Sequence, residues 1–278
     1  MIPDNKTNTL YLADCLPIKY PKFFADLESV LYKYNIAFEP LPHTKDIWAR
    51  DYMPIQVSDK KFIEYRYDPD YLQGEKKGYR DLKSYPDIIC ASINLKTEKT
   101  DLIIDGGNIV KSTDCIILTD KIVEENQYSL DRPELIKKLQ ALFEVEKVVL
   151  IPRDTEEPYG HADGMLRFID DRTVLVNGIY KDDQALLGEL KSRQIEFHFL
   201  TFNVKKESKH NWAYINYLQT KDIILIPAMN CEEDEQALTQ IKHFFPAFAR
   251  NNRIVQVDSL DVVKKDGALN CISWTVKR

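Results

Sequence analysis

Four short stretches of the chain carry side chains that could do chemistry. They are "DIWARDYMP" with Asp51, "IIDGGNIV" with Asp105, "YGHADGMLRF" with His161 and Asp163, and "GALNCISW" with Cys271. A cysteine thiolate is a strong nucleophile, but it needs a base or a positive charge nearby. His161 could supply either through space, and Asp105 could accept a hydrogen bond from the histidine ring. Together, the four stretches indicate covalent catalysis by Cys271.

Two further carboxylates, Asp51 and Asp163, are not required by a cysteine–histidine pair, so they suggest a cationic substrate. A guanidinium group fits because it is planar, always charged, and offers paired N–H donors that match carboxylates. The sequence therefore predicts a small cationic guanidine as substrate. This chemistry requires no cofactor and no metal.

Each stretch also has an ordinary structural interpretation. Asp-Gly-Gly-Asn is a common turn sequence, and a lone cysteine such as Cys271 is often a buried core residue. A zinc site usually contains about three His, Cys or carboxylate ligands, and more than one His. The remaining histidines form no short ligand pattern with His161, although His43 is close to Asp51 in sequence. A metal-dependent hydrolase using His161 and Asp163, and a non-catalytic binder of arginine-like ligands, remain as alternatives.

The composition is that of an ordinary globular protein, with 278 residues, 44% hydrophobic and 29% charged. A net charge of −6 gives no reason to expect nucleic acid or an anionic membrane as a partner. Five cysteines without a C-x-x-C pair suggest no disulfide framework. The N-terminus does not resemble a signal peptide, and the apolar runs are too short to span a bilayer, so we expect a cytoplasmic protein. The oligomeric state is left open, with a homo-oligomer as one alternative.

These chemical residues must be positioned by a repeated set of elements. Apolar residues at helical spacing predict helices at "PKFFADLESVLYKY", "DRPELIKKLQALF" and "CEEDEQALTQIKHFF", with Asp131 as the N-cap of the second. "DDQALLGELKSRQ" predicts a fourth, and a short apolar or alternating run follows each helix. "GMLRFIDDRTVLVNG" and "WAYINYLQTKDIILIPA" predict hairpins that precede helices. The unit is therefore strand, strand, helix, strand.

The units recur at a regular period. The unusual motifs begin near Asp51, Asp105, His161, Tyr214 and Cys271, with gaps of 54, 56, 53 and 57 residues. Such a period is typical of radial or stacked repetition. We therefore predict an α/β fold, a five-bladed propeller of ββαβ units that forms a single domain over residues 1–278. The alternative is a two-layer α/β sandwich with accidental spacing.

The motifs "WARDYMP", "DGGNI", "GHADG" and "GALNC", in this order, resemble those of the guanidino-group-modifying superfamily. The closest match is the agmatine deiminase and bacterial-type peptidylarginine deiminase family. The resemblance extends from about Trp48 to Cys271. It implies a five-bladed α/β propeller with pseudo-fivefold symmetry, in agreement with the period, and hydrolysis of a guanidinium group to a ureido group and ammonia.

The resemblance also implies roles for individual residues. Cys271 would be the nucleophile and His161 the general acid and base, while Asp51 and Asp163 would clamp the guanidinium. Asp105 stands where the family often has Glu, one methylene longer, and would orient His161. The remaining candidate substrate-binding residues are Trp48, Asn108, Arg167 and Asn270.

The substrate tail is less determined than the reaction. The resemblance favours agmatine, which would give N-carbamoylputrescine; free arginine, peptidylarginine and amidino transfer to another amine are alternatives. Arg167 lies four residues beyond Asp163, which would place both on one strand face, where Arg167 could bind a substrate carboxylate; a structural salt bridge is the other interpretation. Gating residues are expected in "YRYDPDYLQGEKKGYRDLKSYP", where Tyr65, Tyr67, Tyr71 and Tyr79 could cover a pocket, and in "TFNVKKESKHNW".

Overall fold

The computed structural model describes residues 1–73, 80–205 and 208–278. Within these ranges, the strands form five three-stranded sheets. In every sheet the middle strand runs antiparallel to the first strand and parallel to the third. In spatial order the sheets consist of β15 (Ser273–Val276), β1 (Thr9–Ala13) and β2 (Phe38–Leu41); β3 (Ile55–Gln56), β4 (Phe62–Arg66) and β5 (Glu98–Ile103); β6 (Val110–Lys111), β7 (Cys115–Thr119) and β8 (Lys147–Ile151); β9 (Leu166–Phe168), β10 (Thr173–Asn177) and β11 (Glu196–Leu200); and β12 (Leu218–Gln219), β13 (Ile224–Ala228) and β14 (Ile254–Asp258).

Helices lie between the middle and third strand of each sheet, because parallel strands need a crossover connection. In the order of the sheets they are α1 (Leu16–Lys19) and α2 (Pro21–Lys33); α4 (Pro86–Ser92); α5 (Lys121–Asn126) and α6 (Arg132–Phe143); α7 (Gln184–Ser192); and α8 (Glu233–Phe244) and α9 (Pro246–Arg250). Two more helices, α3 (Ala49–Tyr52) and α10 (Leu260–Val263), precede β3 and β15. The four helices predicted from sequence are confirmed, and Asp131 caps α6 in a capping box with Glu134.

The two ends of the chain share a sheet. Strand β15 pairs with β1 in antiparallel register, with Thr9 opposite Val276 and Leu12 opposite Ser273. The prediction of repeated ββαβ units is therefore confirmed, and one unit takes its first strand from the C-terminus. Helix α2 packs its apolar face inward through Phe23, Leu27 and Leu31. In the described ranges, no helix is both long and apolar enough to cross a membrane.

The polar motifs form short helical turns directly before the first strands of the sheets. Helix α3 precedes β3, and 3-10 turns precede β6, β9 and β12 at Gly106–Asn108, Ala162–Gly164 and Asn211–Ile215. Along this series each turn packs against the next. The loop before β15 completes the series, because the Asn270 N–H donates to the Asn216 carbonyl and the Cys271 carbonyl accepts from the Arg50 N–H. The sequence period thus reflects one turn of this kind per sheet.

Two segments that were predicted as strands are 3-10 turns instead. At Ala162–Gly164 the Met165 N–H bonds to the carbonyl of Ala162, so Asp163 lies in a turn and not in a strand that continues to Arg167. The expected hairpin strand at "WAYIN" is the turn Asn211–Ile215, and pairing begins only at Leu218. Both predictions were wrong because the apolar spacing of these short segments fits a tight turn as well as a strand.

Candidate active site

Cys271 lies in the loop between α10 and β15 and is 8% exposed. Its Sγ atom lies 3.2 Å from Oδ1 of Asn216 and 3.7 Å from Oδ2 of Asp163. Asn270 orients Asp163, because its Nδ2 donates to Asp163 Oδ2 at 2.6 Å. The thiol is therefore held beside a carboxylate that is itself fixed by a neighbouring side chain.

His161 lies between two carboxylates. Its Nε2 is 3.0 Å from Oδ2 of Asp105, and its Nδ1 is 3.7 Å from Oδ1 of Asp51. The backbone N–H of Gly107 donates to the same Asp51 oxygen at 3.0 Å. A side chain at Gly107 would collide with both Asp51 and His161, because an added Cβ would lie 2.6 Å from an atom of each. Glycine is therefore needed for this close approach.

The buried charges shift one another's pKa. Burial raises the pKa of Asp51 to about 7, against the effect of the nearby His161. Burial acts to lower the pKa of His161, but the carboxylates of Asp51 and Asp105 outweigh it and raise that pKa to about 9. Burial, assisted by Asp163 and Asp51, raises the pKa of the Cys271 thiol well above its usual value. At neutral pH the free site therefore contains a protonated thiol and an imidazolium.

A cavity of about 240 Å³ opens onto this group. Its lining residues include His161, Asp163 and Cys271, together with the aromatic residues Tyr159 and Trp212. Its remaining acidic lining residues are Asp154, Glu156, Glu157 and Asp266. Apart from His161, Lys209 is the basic residue among the described lining residues. The cavity therefore suits a small cationic molecule.

Two candidate substrate ligands instead hold the site together. Oδ1 of Asn108 accepts from the N–H and hydroxyl of Thr119 at 2.8 and 3.0 Å and from the N–H of Ala162 at 3.3 Å. This carbonyl therefore ties the Asp105 turn to β7 and to the His161 turn. The Trp48 ring packs on Gly267, where an added Cβ would lie 2.1 Å from the ring. Trp48 thus supports the loop that carries Cys271.

Arg167 lies outside the cavity that contains Cys271. Its Nη2 donates to Oδ2 of Asp4 at 2.7 Å, and its Nη1 donates to the Tyr217 carbonyl at 2.9 Å. Strand β9 begins only at Leu166, so Asp163 and Arg167 do not share a strand face as expected. We therefore do not retain Arg167 as a ligand for a substrate carboxylate; its salt bridge is structural.

The expected gating tyrosines have different environments. The Tyr71 ring makes edge contacts with Tyr159 and His161, with ring centroids 5.0 and 6.1 Å apart. Tyr65 is buried, and its hydroxyl donates to the Asp51 carbonyl at 2.6 Å. Tyr67 is also buried, against Tyr52, while Tyr79 lies outside the described residues. Of the three that are described, Tyr71 is the one beside the site.

Several residues at the site were missed by sequence reasoning. Asn216 binds Cys271, Lys121 bonds to Asp105 at 2.6 Å, and Oε2 of Glu157 accepts from the backbone N–H groups of Tyr159, Gly160 and His161. Of these residues, only Asn216 could have been found from the sequence, because the motif period includes a position near Tyr214. Among the described residues, no group of three or more His, Cys, Asp or Glu is arranged to hold a metal ion.

Comparison with known proteins places the chain in a family. The model of the Porphyromonas-type peptidyl-arginine deiminase family matches residues 23–276. The chain belongs to this family. The resemblance indicated by the four motifs is thereby confirmed.

Individual relatives agree with this placement. The chain is 26% identical to a candidate agmatine deiminase of Enterococcus faecalis, over 66% of this chain, and 24% identical to one of Lactococcus lactis, over 61% of this chain. The chain spans 60% and 54% of the lengths of these two relatives. The C. jejuni agmatine deiminase structure is 17% identical, with a TM-score of 0.77 over 100% of this chain and 95% of that chain, so the two share a fold.

Proposed function

We propose that this protein is a guanidine deiminase that uses Cys271 as its nucleophile. The observation that carries the proposal is the position of the Cys271 thiol, 3.7 Å from the Asp163 carboxylate in a cavity that both residues line together with His161. A guanidinium bound to Asp163 in this cavity would present its central carbon to the sulfur. Its positive charge would also lower the pKa of the thiol, which burial and two carboxylates otherwise raise.

The reaction would proceed in two stages. The bound guanidinium favours loss of the Cys271 proton to solvent, and the thiolate attacks the guanidinium carbon. The resulting tetrahedral adduct loses ammonia after the leaving nitrogen takes a proton from His161. A covalent thiouronium remains on Cys271. Neutral His161 then removes a proton from water, which attacks the same carbon. The carbon–sulfur bond breaks as the added hydroxyl gives up its remaining proton to solvent, so the ureido product leaves and both the Cys271 thiolate and protonated His161 are restored.

Agmatine is the substrate that we propose first. Its distal ammonium group carries a second positive charge, and the cavity-lining acids Asp154, Glu156 and Asp266 favour such a group. Free arginine would bring a carboxylate near the same acids, and Arg167 is not available to pair with it because Asp4 engages its guanidinium. The relatives named as agmatine deiminases support the same choice. Arginine, peptidylarginine and transfer to another amine are outcomes that the test distinguishes.

We further propose that the five sheets surround a common axis as a pseudo-fivefold propeller, and that residues 1–278 form one domain. The serial packing of the polar turns supports this arrangement. So does the pairing of β15 with β1, which joins the two chain ends within one unit. In such a ring the five turns would converge at one end of the axis, where the candidate active site lies.

The test is a panel assay that measures ammonia and ureido product. The panel contains agmatine, free arginine, an arginine peptide and methylated arginines, each with the native chain and with Cys271→Ala. Cys231→Ser is the matched control, because it alters a half-buried cysteine that bonds to Tyr214. We expect equimolar ammonia and N-carbamoylputrescine from agmatine, lost in Cys271→Ala and retained in Cys231→Ser.

Other results would change the proposal in defined ways. Activity on another panel member would keep the reaction and replace the substrate. Amine release without ammonia would indicate amidino transfer. Turnover retained in Cys271→Ala, or silence of a folded native chain across the panel, would reject the proposed nucleophile or the proposed reaction.

A further inference from the structure

Lys121 is a buried lysine that adjoins the site but does not line its cavity. It begins α5, and its side chain is 3% exposed. Its Nζ lies 2.6 Å from Oδ2 of Asp105, 2.9 Å from Oε1 of Glu125 and 3.4 Å from Oδ1 of Asp70. A buried ammonium group is costly unless it is paired, and these three carboxylates pair it. Lys121 therefore remains charged inside the protein.

The same oxygen of Asp105 serves both Lys121 and His161. Oδ2 accepts from Lys121 Nζ and lies 3.0 Å from His161 Nε2, so the three side chains form a continuous chain. In the described part of the protein, the other oxygen, Oδ1, has no hydrogen-bond partner. The position of the Asp105 carboxylate is therefore set by two contacts, one to the histidine and one to the lysine.

We propose that Lys121 is a positioning residue for the His161–Asp105 pair: its ammonium group keeps the carboxylate ionised and directed at the histidine ring. This inference rests on the proposed function, in which His161 moves the proton. The Lys121 contact also explains how the Asp105 carboxylate stays in contact with His161, although its side chain is one methylene shorter than the glutamate that the family often has there. Lys121 reaches Asp105 from the start of α5.

The charge of Lys121 influences the pH at which the His161–Asp105 pair loses its proton. A positive charge beside the pair favours proton loss, and it does so whether the proton lies on His161 or is shared with Asp105. Burial and Asp105 raise the pKa of Glu125 to about 7, so that carboxylate is ionised at higher pH and opposes Lys121. Removal of the Lys121 charge should therefore raise the midpoint of the His161 titration, and removal of the Glu125 charge should lower it.

The other groups facing the pair and Lys121 set a common background. Asp51 lies 3.7 Å from His161 Nδ1, and Glu157 accepts from the His161 backbone N–H. Asp70 and the Tyr71 ring face Lys121, with Nζ 5.2 Å from the ring centroid. None of these groups changes in the variants proposed below, so a shift between variants reports the charge at residue 121 or 125.

The experiment is an NMR titration of the His161 ring in the full chain carrying Cys271→Ala. This readout needs no substrate, so it can fail or succeed independently of the deiminase proposal. Lys121→Met should raise the midpoint by about one to two pH units, because one neighbouring charge is lost. Lys121→Arg should restore the midpoint toward the native value, and Glu125→Gln should lower it.

Lys111→Met provides the matched control for the loss of a buried lysine. Lys111 is 7% exposed and pairs with Asp4 at 3.2 Å, in the group that includes Arg167. We expect Lys111→Met to reduce thermal stability and leave the His161 midpoint unchanged. Unchanged midpoints in folded Lys121→Met and Glu125→Gln would overturn the inference. If Lys121→Met does not fold, the test rests on Glu125→Gln alone. A lower His161 midpoint in that variant supports the inference, and an unchanged midpoint overturns it.

Discussion

The side-chain oxygen of Asn216 lies 3.2 Å from both the Sγ atom and the backbone nitrogen of Cys271. One amide oxygen therefore accepts from the thiol and from the N–H of the same residue. The Nδ2 of Asn216 also lies within 3.4 Å of the Asp163 carbonyl. Asn216 thereby connects the candidate nucleophile to the segment that carries its neighbouring carboxylate.

Asn216→Ala should impair both activity and stability. Without its acceptor, the buried Cys271 N–H loses a partner, which should lower the free energy of unfolding by about 1–3 kcal/mol. The thiol also loses its orientation, so kcat/KM should fall about 100-fold. Denaturant unfolding and steady-state kinetics measure the two effects. A variant with native kcat/KM would show that the contact does not orient the nucleophile.

Alkylation of Cys271 by iodoacetamide should be slow in the free protein at neutral pH. Burial and the carboxylates of Asp163 and Asp51 raise the pKa of the thiol, and only the thiolate reacts. Mass spectrometry of the Cys271 peptide, compared with a small model thiol, gives the rate at each pH. Asp163→Asn removes one negative charge and should move the alkylation profile to lower pH. Alkylation of the native site as fast as the model thiol at neutral pH contradicts this prediction.

The proposed deiminase activity should decline as the pH falls through about 7. Burial raises the pKa of Asp51 to about 7, so below this pH the carboxyl is neutral and no longer attracts a guanidinium. The pH profile of kcat/KM reports this group in the free enzyme. Asp51→Asn should show low activity with no acid limb near pH 7. If the kcat/KM profile of Asp51→Asn still shows an acid limb near pH 7, that limb belongs to a group other than Asp51.

Gly107→Ala should reduce activity while the fold is retained. The new Cβ would lie 2.6 Å from Asp51 Oδ1 and 2.6 Å from His161 Nδ1, so one or both side chains must move. A displacement of this kind should lower kcat/KM about 100-fold. Gly188→Ala is the control, because it lies in α7 with no atom within 4 Å of an added Cβ. Equal kinetics in the two variants would mean that the close approach at Gly107 is not important.

Asp4→Asn should destabilise the protein strongly at neutral pH. Asp4 is the carboxylate that pairs with three buried cations, Arg50, Lys111 and Arg167. Removing its charge leaves them unpaired, at a cost of about 3–5 kcal/mol in the free energy of unfolding. Denaturant unfolding at pH 7 measures this loss.

The pH dependence of that loss has a definite sign. Burial acts to raise the pKa of Asp4, but Lys111 and the two arginines outweigh it and hold the pKa well below its usual value of 3.8. The stabilisation is therefore present above about pH 4 and is lost as the pH falls toward the folded-state pKa. The difference in the free energy of unfolding between the native chain and Asp4→Asn should become smaller below pH 4. Asp59→Asn, at an exposed ion pair with Lys277, should change stability by at most about 0.5 kcal/mol.

The sequence by itself determined the repeating units and the chemistry available to them. Helices such as α2 and α6 follow from apolar spacing and from the Asp131 cap, because both signals are local. The period of the motifs predicted five ββαβ units along the chain. The types of Cys271 and His161 predicted thiol chemistry before any distance was known.

Only the tertiary structure decided which side chains meet. Arg167 was expected beside the substrate, yet it binds Asp4, 163 residues away in sequence. Asn216 and Lys121 acquired their positions from contacts with Cys271 and Asp105, which lie 55 and 16 residues away. The physical reason is that the direction of a side chain depends on the exact turn that carries it. A 3-10 turn and a strand of the same composition point their side chains differently, and packing between sheets selects one of them.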